Sequence, residues 1–186
     1  MRTFIALRIP MEVKLKQALS EFMDALRFEK MKWVNFDTLH LTLSFLGSTS
    51  QREIDVITMI LNDHLANFPI FTISLKGFGI FEVKGSPKVV WVRVEKSIEL
   101  LYLQRRVAEM LVPLGFKVDV RGFNPHITIS RIKHLDEVGL LEEFIREKEN
   151  VLFQQNLVDE VILYKSELLS QERRYTPISI QRLGKY

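Results

Sequence analysis

Two short segments carry the residues best suited to acid–base chemistry: "LHLTLS" at 39–44 and "PHITIS" at 125–130. Each places a His and a Thr two positions apart inside an aliphatic run. Residues i and i+2 of a strand point to one side, so His40, Thr42 and Ser44 are expected on one face and Leu39, Leu41, Leu43 and Phe45 on the other. By the same rule His126, Thr128 and Ser130 oppose Ile127 and Ile129. Two such strands facing each other bring together two imidazoles and two hydroxyls. Histidine titrates near neutrality, so one ring can be neutral and accept a proton while the other is protonated and donates. In-line attack of water on a phosphodiester has this demand, because attacker and leaving oxygen depart in opposite directions. The threonine hydroxyls would donate to the non-bridging oxygens.

Other chemistries fit the sequence less well. A zinc site needs three or four N, O or S donors, and neither segment offers a second His or a carboxylate at ligand spacing. There is no cysteine, no glycine-flanked serine elbow and no lysine-containing phosphate loop. A lone strand histidine is more often structural than catalytic; it is the pairing that favours function here. His64, in a helical stretch, and His134, at a strand–helix junction, lack matching partners and read as surface residues.

The elements that must hold these residues recur along the chain. Strand patterns at 2–9, 39–46 and 70–81 alternate with helical patterns at 11–28 and 53–68. A turn-forming "KGSP" at 84–87 follows. The series then restarts with a strand at 88–95, a helix at 97–114, the "PHITIS" strand, a helix at 135–149 and a strand at 157–168. An extended tail covers 173–183. The two His-x-Thr segments are offset by 86 positions (126 − 40), and the same shift carries the helix at 11 to the helix at 97. A single domain over 1–186 is expected, built from a duplicated unit (about 1–83 and 87–168) plus the C-terminal extended segment. Neither unit could bury its sheet well alone. The expectation is an α+β fold, bilobal, with two pseudo-twofold lobes of mainly antiparallel sheet and packed helices around a cleft.

Composition sets the class. Of 186 residues, 47% are hydrophobic and 10% aromatic, which supports a globular core. The net charge of +3 is scattered and only mildly favours a polyanionic partner. No apolar run approaches a spanning helix, and the apolar start is too short for a secretory leader. With no cysteine, a cytoplasmic location is expected.

The chain resembles the two-histidine phosphoesterases, and within them the RNA 2′,3′-cyclic phosphodiesterases of the 2′-5′ RNA ligase family. The resemblance rests on "FIALRIP", "WV" at 33–34, "LHLTLSFLG", "SPKVVWVRV", "FNPHITISR" and "SELL…RRYTPI", which span nearly the whole chain. It implies hydrolysis of RNA 2′,3′-cyclic phosphate ends to 2′-phosphates, with no cofactor or metal, RNA as the partner and no obligate protein partner. It implies His40 as proton donor, His126 as proton acceptor, and Thr42, Thr128 and Arg131 as phosphate-binding residues. Arg131 lies an odd step from His126, so it reaches the site either through a strand end or bulge after Ser130, or from the rim. Phe45, Phe78, Phe81, Phe123 and Tyr175 are candidates for base stacking, and Lys76, Arg121, Arg173 and Arg174 for the RNA backbone. Trp33 and Trp91 read as core. "QERRY" lacks the glycine that the family carries shortly before the tyrosine. Reversible 2′-5′ ligation, a noncatalytic RNA-binding module and a purely structural role are the alternatives.

Overall fold

The aliphatic runs form strands and the amphipathic stretches form helices. In this computed structural model, residues 1–117, 122–169 and 172–184 are described. The order is β1 (Arg2–Arg8), α1 (Val13–Ala25), β2 (Lys30–Trp33), β3 (His40–Ser48), α2 (Gln51–Leu65), β4 (Phe71–Val83), β5 (Ser86–Val94), α3 (Ile98–Leu111), β6 (His126–His134), α4 (Val138–Lys148), β7 (Leu152–Val158), β8 (Glu160–Leu169) and β9 (Glu172–Arg182). Helix α1 buries Leu15, Leu19 and Phe22 along one stripe. Helix α2 starts at a reciprocal capping box between Ser50 and Glu53, which satisfies two orphan donors of the first turn.

Strands assemble into two antiparallel sheets, β3-β1-β8-β9 and β2-β6-β5-β4-β7. Each sheet takes strands from both halves of the chain, unlike the expected one sheet per half. The cause is local. Lys84 and Gly85 both have positive φ, 53° and 73°, the backbone of a tight hairpin turn. That turn ties β4, from the first half, to β5, from the second. Strand β8 returns the exchange by pairing with β1. Helices α2 and α3 contact the first sheet through β9 and β3, and α1 and α4 contact the second through β7 and β4. One continuous core containing Phe22, Leu41, Leu61, Phe78, Val92, Leu103 and Leu163 joins both sheets and all four helices. Each such buried side chain contributes roughly 1.5–3 kcal/mol.

Two strands were hidden in the sequence. Strand β2 is short and polar, and β7 carries Gln154 and Asn156 on its buried side. The Gln154 side-chain amide donates to the Pro10 carbonyl at 2.8 Å, and its oxygen accepts from the Glu12 N–H at 2.9 Å. These polar residues interrupt the hydrophobic alternation that marks a strand. Among the described residues no helix is long and apolar enough to cross a membrane.

Candidate active site

Strands β3 and β6 have the same burial pattern position by position: a half-buried His, a buried aliphatic, a half-buried Thr, then two buried residues and an exposed one. The doubled burial marks a bulge. Along β1, Arg8, Ala6 and Phe4 lie opposite His40, Thr42 and Phe45, while Leu7 and Ile5 lie opposite Leu41 and Ser44. Leu43 is therefore the extra residue. Along β5, Arg93, Trp91 and Val89 lie opposite His126, Thr128 and Arg131, while Val92 and Val90 lie opposite Ile127 and Ser130. Here Ile129 is extra. Residues directly opposite across a ladder share a face, and one extra residue inverts the alternation beyond it.

Three expectations change with these bulges. Ser44 and Ser130 turn to the core and are buried; the Ser130 hydroxyl donates to the Lys32 carbonyl at 3.3 Å. Phe45 moves to the histidine face, where it is 73% exposed. Arg131 arrives on that face too, because the bulge falls before Ser130 and the strand continues past it. Phe45 and Arg131 occupy equivalent positions in the two strands, again 86 apart. The flanking strands match with a shift of 85 instead, since Arg8 corresponds to Arg93.

Strands β3 and β6 touch, and His126 is near enough to His40 for its charge to act on that ring. The ring of His40 donates from Nδ1 to the Thr38 carbonyl at 2.8 Å, and that of His126 from Nδ1 to the Asn124 carbonyl at 2.7 Å. A carbonyl can only accept, so Nδ1 carries the hydrogen in both rings and Nε2 is the atom left for chemistry. The same i−2 tether fixes both imidazoles. Among the described residues, neither threonine hydroxyl has a hydrogen-bond partner and Arg131 has no carboxylate partner. All three are free to meet an anion.

The two halves of the site differ in their walls. His40 lies against Phe4 (centroids 5.0 Å apart) and meets Tyr175 edge-on at 4.9 Å, with Tyr164 at 6.3 Å. Phe4, Ala6, Ile162, Tyr164 and Tyr175 form a small apolar cluster separate from the main core. Burial here holds the His40 pKa below its ordinary value, against the raising effect of the Thr38 carbonyl, and the charge of His126 lowers it further. His126 instead meets Phe81 at 4.8 Å and 90°, with Trp91 at 6.1 Å. Trp91 lies across β4 because Gly79 has no side chain: a Cβ there would sit 2.2 Å from the indole ring.

Of the remaining candidates, Tyr175, Phe45 and Phe81 reach the site. Phe78 is fully buried in the core and presents no open ring face, whereas Phe123 is half-buried with part of its ring against that core. Trp91 is buried, as its reading as core expects, and one side of it also walls the site near His126; Trp33 packs on Phe22 as expected. Lys76 is paired with Glu95 at 3.5 Å, and the Arg173 guanidinium donates to Ser166 Oγ at 3.2 Å. Arg174 is exposed, and Arg121 lies outside the described residues. His64 is exposed, and His134 faces Asp136 at 2.9 Å. Phe4 and Arg93 lie within the segments "FIALRIP" and "SPKVVWVRV" but carry no side-chain signal of a role there, and Tyr164 lies in no such segment; what singles them out is position opposite, or one strand removed from, the His strands.

The family model described as the 2′-5′ RNA ligase superfamily matches residues 15–168. The chain belongs to this superfamily. Among its members, an RNA 2′,3′-cyclic phosphodiesterase of Thermotoga maritima is 41% identical over 136 residues, covering 72% of this chain and 71% of its own. One from Methanothermobacter thermautotrophicus is 32% identical over 184 residues, 98% of each chain. Of solved structures, a protein of Thermus thermophilus superposes with a TM-score of 0.80 at 28% identity, over 99% of this chain and 98% of that one. E. coli LigT complexed with 3′-AMP gives 0.77 at 25% identity, over 98% and 97%. The two-sheet α+β fold is thus the superfamily's fold.

Proposed function

We propose that this chain hydrolyses RNA 2′,3′-cyclic phosphodiester ends to 2′-phosphomonoesters, without metal, by two-histidine acid–base catalysis. The observation that carries the reading is the matched pair of tethered imidazoles, each with Nδ1 held by an i−2 carbonyl and Nε2 left free. His126 Nε2 takes a proton from water as its oxygen bonds to phosphorus. The bond from phosphorus to O3′ breaks, and His40 Nε2 delivers a proton to O3′. Thr42, Thr128 and Arg131 donate to the non-bridging oxygens, where charge accumulates in the phosphorane-like transition state. Among the described residues no three His, Cys, Asp or Glu side chains converge on a cation site, and activity in EDTA is the expected outcome. The names carried by the relatives support this substrate.

The order and 86-residue spacing of the two His-x-Thr strands support the further proposal of one domain descended from a duplicated unit. An RNA substrate and a cysteine-free chain suit the cytoplasm. The superfamily's own description favours one second reading. A 5′-hydroxyl replacing water at His126 would make a 2′-5′ linkage, driven by the strained cyclic ester without ATP. Incubation of a cyclic-ended RNA with and without a 5′-hydroxyl acceptor separates the two. Monoester formed in both reactions supports hydrolysis, and a lengthened product with the acceptor supports ligation.

A further inference from the structure

A cavity of about 490 Å³ opens beside His126, lined by Trp91, Arg93, Val94, Glu95, Lys96 and Asn124. Asn124 is the residue whose carbonyl tethers His126, and Arg93 lies directly opposite His126 on β5, so the cavity continues the active site. Its volume falls in the range of small-ligand sites. Two of its side chains are cations with no carboxylate partner among the described residues, Arg93 and Lys96. Its one carboxylate, Glu95, is already engaged by Lys76 at 3.5 Å. Trp91 is 8% exposed, and its indole N–H is the buried side-chain donor left without a partner among the described residues. That donor has no open surface and the adjoining ring edge lies over Gly79 of β4, so the indole forms the wall of the cavity while the two cations face the ligand.

The opposite half of the site has a different character. Around His40 the buried rings of Phe4 and Tyr164 back the half-buried Tyr175 and the exposed Phe45, and these last two are open to stack a base. Around His126, beside the rings of Phe81 and Trp91, stand Arg93 and Lys96, a surface for an anion.

We infer that the cavity is a second nucleotide subsite, which holds the residue on the 5′ side of the cyclic end with its phosphodiester on Arg93 and Lys96. The inference rests on the proposed phosphodiesterase reading. It follows that the enzyme distinguishes an RNA chain from a free cyclic mononucleotide, by contacts that begin one phosphate upstream of the reacting one.

The test compares kcat/KM for adenosine 2′,3′-cyclic phosphate with that for the dinucleotide ApA ending in the same cyclic phosphate. The expected ratio is at least about 10 in favour of the dinucleotide. It should fall toward one in Lys96→Gln and Arg93→Gln. Equal kcat/KM for the two substrates in the wild-type enzyme, or a preference that survives both cation substitutions, overturns the subsite. Turnover of neither substrate by folded wild-type protein overturns the functional reading beneath it.

Discussion

The two imidazoles are built alike but are not equivalent. Replacing either by alanine is expected to lower kcat/KM by at least about 100-fold, with the thermal transition retained; near-wild-type turnover in one of them would remove the acid–base pair. Burial against Phe4, Tyr164 and Tyr175 keeps His40 below its ordinary pKa. As the proton donor it must be protonated, so the alkaline limb of kcat/KM, which reports free enzyme, should lie below the usual histidine range. A bound phosphate anion favours the imidazolium, so the same limb of kcat should move to higher pH. Limbs at the same pH in both profiles would contradict this. The stability consequence has a defined sign. An unfolded His40 binds its proton first as pH falls, so the folded state loses stability below the ordinary histidine pKa. His40→Gln should flatten the decline of Tm between about pH 7 and 5. Thr42→Val and Thr128→Val keep shape and remove a donor; each should cost about 100-fold in kcat/KM with little change in Tm. At this scale the paired His-x-Thr segments were plain in the sequence. The i−2 tethers were not, because a carbonyl acceptor has no side-chain signature.

Among the elements, the bulges do the most to shape the site. Strict alternation in β3 and β6 would bury Phe45 and Arg131 and expose Ser44 and Ser130; the extra residues Leu43 and Ile129 reverse this. Sequence reading went astray at this point, since a bulge within an aliphatic run leaves no compositional mark. Gly79 is a second device of the same kind, giving Trp91 room to lie over β4. Gly79→Ala would drive a Cβ into the indole and should destabilise by roughly 1–3 kcal/mol, with Tm down by several degrees and activity reduced through the displaced wall of His126. Unchanged Tm and activity would show that Trp91 does not depend on the glycine.

Across the whole molecule, the strand exchange makes the two halves interdependent. Alternating strands and helices made the fold class readable, and the two His segments suggested two similar units. Which strand pairs with which depended on the Lys84–Gly85 hairpin and on polar residues buried in β7, neither of which hydrophobic periodicity registers. Residues 1–85 expressed alone would leave β4 without β5 and β1 without β8, and no cooperative unfolding transition is expected by near-ultraviolet circular dichroism. A folded, cooperatively melting fragment would mean that each half carries its own sheet.

The central claim is that two tethered histidines open a 2′,3′-cyclic phosphate with departure of the 3′ oxygen. Its most direct test is incubation of a short RNA bearing that end with the enzyme in EDTA, followed by phosphorus NMR of the product, for the wild type and both His→Ala variants. The expected result is a 2′-phosphomonoester formed by the wild type and absent in both variants. A 3′-phosphomonoester, a requirement for added metal, or persistent turnover in either variant would contradict it.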